Sequence, residues 1–580
     1  MGWITVDSGT KLLFNDCLLN SFFVRVFEFG CGRSALCSFH PSRTKIELRM
    51  LASGKAGSVF LQSNVQRTSS ASRPRSPSLS RANRSSPPVS FTVPFEGRNA
   101  VMGAVGATEV ESKTVSDSNS PYAGKTAVVV GAGPCGSLAG MLLAERGFNV
   151  KIFEKRSDPA KVPMSFHRSI PVVLNSEVST FLMDLGLEPV YEGSGKKRGL
   201  MIFKHSSTMA ENGKIKPWNY QSQRGTRLLA ERHAVAEGIL GLGISKGFPN
   251  LEFTFDCGCQ GVDVDSKIAM FCGPDGETNR VHYDLLIGAD GAGSQVRKTL
   301  QELGHLEFTQ RSSTRRYISI RDLPAPENPC DDIKAFLSPG LLVFGVLKPL
   351  WNGPTGFLFY TTQDGIQGSV GGKLGVFEAI KGREAEWIAG AAPDSIPKEW
   401  FPVIVEQIKS GTQSAIGPVT YCSTFIAPDV ALLGDAAHAS TPSLGLGANR
   451  ALLDARDLDE ALEAAKGDCS EALRIYDEKC RPQVAAIQAI ELCNPSAALE
   501  GQSLFWTKFF NFYMEFYSTG NRKFPSLIPP SALAQMFASQ IPPVEALRRF
   551  RRVASILSGT AVALVAAGLT LALKMYPLSV

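Results

Sequence analysis

Apolar runs and helical spacings alternate through the middle of the chain, and the two ends depart from that pattern. Thr126-Ala-Val-Val-Val stops at Gly131, an Ala/Leu-rich stretch from Ser137 to Arg146 follows at helical spacing, and Asn149-Val-Lys-Ile-Phe closes on Glu154. A strand, a helix and a second strand in that order predict a parallel βαβ unit. Tyr283-Asp-Leu-Leu-Ile-Gly288 and Val430-Ala-Leu-Leu-Gly434 are further buried-type runs, each ending at a glycine with an aspartate close behind. An amphipathic stretch through Phe181-Leu-Met-Asp-Leu-Gly and an Ala-rich helix ending near Gly238 lie between the first pair and these. From Gly304 to about Ser423 the spacing changes to alternation, as in Arg316-Tyr-Ile-Ser-Ile and Gly340-Leu-Leu-Val-Phe-Gly-Val-Leu, which predicts a second sheet. Trp351, Phe357, Phe359 and Tyr360 in it serve either as core or as pocket lining.

Helical spacing returns beyond Asp454 and runs to about Ala498. Phe505, Phe509, Phe512 and Phe516 then share one helix face, a stripe suited to core packing or to a membrane surface. Val553 to Leu573 carries no charge and as a helix is ~30 Å long, enough to span a bilayer. Arg548, Arg549, Arg551 and Arg552 precede it, and only Lys574 is charged after it, so the body of the chain would stay on the cytosol-equivalent side. A buried C-terminal helix is the alternative.

The 580 residues suffice for two or three domains, and the net charge of +6 is small for that length. No nucleic-acid partner is indicated, because the basic excess sits at the N-terminal segment and just before the C-terminal run. The 12 cysteines include no Cys-x-x-Cys, which points to a reducing compartment and no structural metal. Residues 1–105 read as a disordered or targeting segment. Between Glu47 and Glu96 there is no acid, while Arg67, Arg73, Arg75, Arg81 and Arg84 stand among serines and prolines, as in a transit peptide or a plain tail. Met50 opens a cleaner transit-like sequence than Met1. A transit peptide would carry the body into an organelle, whereas a tail anchor alone would leave it outside. The expectation is an organelle membrane with a single-pass C-terminal anchor, mitochondrial with the outer membrane included, or plastid.

The glycine turn carries the first chemistry. Gly131 makes the tight bend, Gly133 lets backbone N–H groups approach a pyrophosphate at the helix N-terminus, and Gly136 lets helix and strand pack closely. Glu154 is placed to accept from ribose hydroxyls, and Arg156 is a further cofactor-side candidate. This fingerprint alone suits FAD or NAD.

Three strand ends occur in the order Gly-x-Gly-x-x-Gly, Gly288-Ala-Asp290-Gly291 and Gly434-Asp435-Ala-Ala-His438, followed by Pro442-Ser-Leu-Gly445-Leu-Gly447-Ala-Asn449. With them the chain resembles the class A flavin monooxygenases, and among these the kynurenine 3-monooxygenases. Arg168-Ser169-Ile, Gln223-Arg224 and Phe248-Pro-Asn-Leu match segments of that group, as does Gly445-x-Gly447-x-Asn449 with Asp454 beyond. The resemblance implies an α/β fold: a Rossmann-like FAD-binding domain over 122–500, in halves at about 122–300 and 424–500. A mixed substrate sheet at about 304–423 is inserted between the halves. A helical region over 501–550 and a transmembrane helix over 553–573 complete the chain.

The resemblance further implies FAD as cofactor, NAD(P)H and O2 as co-substrates, and hydroxylation of an aromatic through a flavin C4a-hydroperoxide. Arg168, Arg224, Asp290 and Asp435 would serve the cofactor. Pro442, Gly445, Gly447 and Asn449 would surround the flavin ring, with His438 a structural part of its loop. Around the substrate the chain departs from the group. Leu200 replaces an arginine that binds the amino-acid carboxylate, Trp218 replaces a tyrosine, and Leu446 and Ala448 replace Gln and Met. Arg198 or Arg450 would have to supply the missing cation for kynurenine. An isoprenoid or lipid epoxidase, a flavin reductase, and a non-catalytic flavin-binding scaffold are the other functions this fold allows.

Overall fold

The computed structural model describes residues 120–159, 161–162, 171–189, 201–202, 205–209, 215–217, 226–325, 341–347, 355–362, 365–391 and 396–557, together with five short strands between residues 2 and 64. The chain divides into two compact units, Met1–Ser112 and Lys113–Val580. In the first, Gly2–Val6 pairs with Thr10–Phe14, and Cys37–Phe39, Ile46–Ala52 and Val59–Asn64 form an antiparallel sheet. Ile46, Leu48 and Met50 alternate with polar neighbours there, a spacing that pairs strands inside a segment whose composition suggested none. The Arg/Ser/Pro stretch from Arg67 to Arg84 lies outside the described residues.

The second unit is built on a six-stranded sheet of β1 (Thr126–Val130), β2 (Asn149–Phe153), β3 (Leu251–Thr254), β4 (Leu285–Gly288), β5 (Ile426–Ala427) and β6 (Val430–Leu432). Their order is β3-β2-β1-β4-β6-β5, all neighbours parallel except β5 and β6. β1 and β4 lie at its centre, and both read as continuous apolar runs because both of their faces are covered. On one face α1 (Pro134–Glu145) packs against α2 (Arg232–Ser245) and α4 (Gly447–Ala465), with α3 (Gln295–Glu302) and α5 (Cys469–Glu491) completing the layers. Residues 135 to 144 of α1 are all buried, so this helix is apolar on every side. Leu138, Met141, Leu142 and Leu143 each contribute about 1.5–3 kcal/mol by leaving water. The helix expected to end near Gly238 runs on to Ser245, because Ile239 and Leu240 beyond that glycine are buried against the sheet.

A seven-stranded mixed sheet is the expected insertion. Thr355–Thr362, Gly365–Lys373 and Arg315–Leu323 form its antiparallel centre, backed by Trp387 and Trp400 from the helices Glu384–Ala391 and Trp400–Ser410. Two of its strands, His205–Met209 and Ile215–Pro217, come from the first half of the chain, so the insertion is wider than 304–423. Phe359 and Tyr360 are buried, Phe359 edge-on to Trp400 (ring centroids 5.1 Å apart), so both are core. Trp351 and the Phe357 side chain lie outside the described residues.

In the C-terminal region α6 (Leu504–Lys523) packs on a helix over 543–557, with Phe550 meeting Phe509 and Tyr513 at centroid distances of 5.1 and 4.9 Å. The aromatic stripe is turned around relative to its simplest expectation. Phe510 and Tyr513 form the buried face, while Phe505, Phe512 and Phe516 are 51%, 52% and 50% exposed and face outward. Among the described residues no helix is long and apolar enough to cross a membrane, and most of the 553–573 span lies outside them.

Candidate functional site

The three glycine/aspartate corners meet at the C-terminal ends of β1, β4 and β6. Gly131 has φ +104°, and a Cβ there would sit 2.6 Å from the Ala289 carbonyl oxygen of the second corner. A Cβ at Gly136 would sit 1.9 Å from the Gly131 carbonyl oxygen, so this glycine closes the turn. The close helix-to-strand contact expected of it occurs one turn later, at Gly140 against Ile152. Gly133 differs from both: a side chain there would meet nothing within 4 Å. It caps α1, whose N-terminus has no side-chain cap and no acid in its first turn. An open glycine at an uncapped helix N-terminus is a seat for a phosphate. Glu154 accepts from the Ala132 N–H (2.9 Å) and the Arg156 N–H (3.0 Å), so it fixes the turn; the Arg156 residue is exposed.

At the second corner Asp290 Oδ2 accepts from the N–H groups of Gln295 (2.6 Å) and Val296 (3.3 Å), capping α3 together with Ser294. Its Oδ1 is buried without a partner among the described residues, and burial raises the carboxyl above its ordinary range despite the bonds from Ser294 and Gln295. An orphaned acceptor at the cofactor side is costly unless a ligand hydroxyl or water meets it. At the third corner Gly434 has φ +58° and Asp435 opens a short helix, Asp435–His438, with its side chain one-third exposed. The corners are tied together. Cys135 Sγ donates to the Ala451 carbonyl (2.9 Å), and Arg297, 1% exposed, donates to the carbonyls of Ala436 (2.6 Å) and Ala292 (2.7 Å) while lying over Phe308.

Beneath the third corner is a buried ion cluster. Asp454 accepts from the Gly434 N–H (2.7 Å) and Arg450 Nε (2.9 Å), and its Oδ2 meets His438 Nε2 at 2.6 Å. Burial pushes Asp454 upward, but His438 and Arg450 outweigh it and hold the carboxyl below its ordinary range. Arg450 also bonds Asp457, so it is consumed by structure and does not stand in for the cation missing at Leu200. His438, 4% exposed, is likewise structural.

The loop from Thr441 to Gly447 leaves this cluster toward solvent. Gly445, at φ +66°, donates to the Pro442 carbonyl (3.1 Å), and both residues are exposed. Asn449 is buried and spends its amide on the backbone: Oδ1 accepts from Asn175 N–H (2.8 Å), and Nδ2 donates to Val173 (3.0 Å) and Gly445 (3.0 Å). It therefore holds this loop to the strand Pro171–Leu174. Leu446, in the family's Gln position, is buried among Ile487, Ile490 and Tyr513 of the C-terminal core. Arg168, Arg198, Leu200, Trp218 and Arg224 lie outside the described residues.

Two residues at the mouth escaped the sequence reading. Arg232 opens α2 with its Nη2 paired to Asp435 Oδ2 at 3.4 Å and its side chain 60% exposed, which places a solvent-facing cation beside the third glycine corner. It follows the strand Leu228–Glu231 directly, a four-residue run too short to mark the helix start in the sequence. The other is Glu491, buried under the loop, for which the sequence carried no signal.

A family profile described as "FAD binding domain" matches residues 125–337 and 402–490, which is more than half of the chain. Violacein synthase of Chromobacterium violaceum is 25% identical over 72% of this chain and 95% of its own length. Kynurenine 3-monooxygenase of Legionella pneumophila is 27% identical over 64% of this chain and 79% of its own. A crystal structure of P. aeruginosa PqsL in complex with 2-aminobenzoylacetate shares the fold, with a TM-score of 0.50 at 19% identity, covering 64% of this chain and 96% of that one. The uncapped helix at an open Gly133, the orphaned Asp290 oxygen and the converging corners all fit an FAD. The chain thus belongs to the FAD-binding-domain family and is an FAD-dependent enzyme of the class A flavin monooxygenase type.

Proposed function

We propose that the chain hydroxylates an aromatic substrate at the expense of NAD(P)H and O2. NAD(P)H gives up a hydride, one oxygen atom enters a C–H bond to make C–OH, and the other leaves as water with a proton from solvent. Bound FAD supplies the electron transfer and the oxygen activation. The supporting observation is the second sheet, inserted between the two chain segments that build the flavin corners and bolted to them by Glu231, Arg321 and Tyr360. The names of the relatives, kynurenine 3-monooxygenase and violacein synthase, support an aromatic substrate.

In this assignment the α1 N-terminus at Gly133 receives the pyrophosphate, Glu154 the adenosine ribose, and Asp290, Asp435 and Arg232 the remaining polar groups of the cofactor. The loop Pro442–Gly447 borders the flavin ring. Arg168 and Arg224 are assigned to the flavin side on resemblance alone. With Leu200 in an arginine's place and Arg450 committed to Asp454 and Asp457, we infer a substrate that is not anchored through an amino-acid carboxylate.

The test is flavin bleaching. Full-length, FAD-loaded protein is mixed with NADH or NADPH under nitrogen, with and without kynurenine, indolic and phenolic compounds. An effective substrate accelerates reduction by about tenfold or more and acquires one labelled atom from 18O2. If no aromatic does either, the hydroxylase assignment fails; if kynurenine does both, the argument from Leu200 fails.

The outward Phe505, Phe512 and Phe516 and the uncharged run from Val553 to Leu573 support attachment to an organelle membrane. Release of the full-length protein from cell membranes by alkaline carbonate would rule that attachment out.

A further inference from the structure

Helix α5 ends at Glu491 directly behind the loop assigned to the flavin ring. Glu491 is 1% exposed. Its Oε1 accepts from the Thr441 N–H (2.7 Å) and from the Thr441 hydroxyl, which makes it the anchor of the loop's first residue. Its Oε2 is buried with no hydrogen-bond partner among the described residues. Among the described residues no cation pairs with it. From the loop come Thr441 and Ser443, whose hydroxyls bond each other at 2.9 Å. From the strand Val419–Cys422 comes Tyr421, its own Oη buried and without a partner among the described residues, with Arg311 beyond it at 5.7 Å from the ring centroid. From its own helix Gln488 donates to the Thr420 carbonyl (2.6 Å), and from the following turn Asn494 donates to Ser443 (3.2 Å) and Gln502 to Leu492 (3.1 Å).

The two protonation states are unequal in this site. An ionised Glu491 would bury a charge with one oxygen unmet and no counter-ion, the arrangement proteins can least sustain. A neutral Glu491 keeps Oε1 as the acceptor for Thr441 and carries its proton on Oε2, leaving only a hydroxyl to be met by water or a bound ligand. Burial pushes its titration up to about 7, with the Thr441 and Ser443 bonds opposing.

We propose that Glu491 is a positioning residue that must keep its proton to hold the Thr441–Gly447 loop in the shape that receives the flavin ring, so that FAD is retained less well once the proton is lost. This rests on the placement of the ring along that loop, proposed above. Glu491 itself touches the loop and takes no part in oxygen transfer.

The experiment is an FAD titration of the full-length apoprotein from pH 6 to 8.5, followed by flavin fluorescence, with calorimetry in two buffers of different ionisation enthalpy to count protons. The wild type is expected to lose affinity by up to about tenfold per pH unit above neutrality, with proton uptake on binding. Glu491→Gln, uncharged throughout and still an acceptor for Thr441, is expected to bind FAD with the wild type's acid-side affinity and no pH dependence. Glu491→Ala, which releases Thr441, is expected to bind weakly at every pH. A flat wild-type profile without proton uptake overturns the proposal, as does a Glu491→Gln variant that titrates like the wild type. Failure of the apoprotein to take up FAD at any pH instead overturns the flavin placement beneath it.

Discussion

Two glycines three residues apart make opposite demands, and a methyl group separates them. Ala at position 136 would drive its Cβ into the Gly131 carbonyl at 1.9 Å, backbone that cannot yield without opening the turn. Gly136→Ala should therefore lower the thermal midpoint of the apoprotein and abolish FAD binding together. Ala at position 133 meets no atom within 4 Å and its φ of −69° suits any residue, so the apoprotein should keep its midpoint while FAD binding weakens by about tenfold or more. If Gly133→Ala destabilises the apoprotein as much as Gly136→Ala, the open face is not a ligand seat. Charge obeys the same local logic. The folded state holds the Glu491 proton to about pH 7, against an ordinary 4.5, so stability is fully present below about 4.5 and falls as pH rises toward 7. The loss amounts to at most roughly 3 kcal/mol, and urea unfolding of Glu491→Gln should lack this slope. Asp454 works in the opposite sense: its lowered carboxyl contributes stability that is lost as pH falls below its ordinary range.

Secondary-structure elements are held in place by side chains whose sequence context looks ordinary. Asn449 links the start of α4 to the end of the strand Pro171–Leu174 through two backbone bonds and to the Gly445 carbonyl through a third, so Asn449→Leu leaves buried donors and acceptors unmet and should cost about 2–4 kcal/mol. Chemical unfolding measures the cost, and a loss below about 0.5 kcal/mol would show that water replaces the amide at no penalty. The corners themselves were legible in the sequence, because a glycine after a β-branched run has few other uses in an α/β sheet. What joins them was not. Arg297 spends its guanidinium on two carbonyls 139 and 5 residues away, and Arg450 spends its own on carboxylates of its own helix. Nothing in a linear pattern distinguishes such arginines from a substrate-binding one. The aromatic repeat in α6 was equally ambiguous, since both of its faces carry rings and distant residues, Phe550 from the 543–557 helix and Leu533 and Met536 among them, select 510 and 513 as the inner pair. The strands His205–Met209 and Ile215–Pro217 escaped because their partner is 136 residues further on at Leu341.

At the scale of the whole unit, two sheets with separate cores belong to one compact body, and a polar knot is among the contacts that join them. Glu231 ends the strand Leu228–Glu231, which pairs with Pro171–Leu174 and Met201–Ile202 outside the inserted sheet; Arg321 and Tyr360 belong to the inserted sheet. The Tyr360 hydroxyl donates to Glu231 Oε1 (2.8 Å), Arg321 pairs with the same oxygen, and His233 Nδ1 stands 3.1 Å from Oε2. Beside this polar knot Leu229 packs against Tyr360, a small apolar contact outside both main cores. Replacing Arg321 by Met removes the cation and keeps the bulk, leaving a carboxylate at 11% side-chain exposure without its principal partner. Breaking one side of a buried pair costs roughly 3–5 kcal/mol, and here the cost falls on the joint and on neither core. Arg321→Met should therefore split a single calorimetric transition into two, with FAD release following the flavin-side transition and the inserted sheet melting at lower temperature. Glu231→Gln combined with Arg321→Met removes the stranded charge and should recover most of the cooperativity, because what divides the unit is the uncompensated carboxylate. A double variant that still melts in two steps would show instead that the hydrogen bonds of the arginine, and not the charge balance, tie the inserted sheet to the strand Leu228–Glu231.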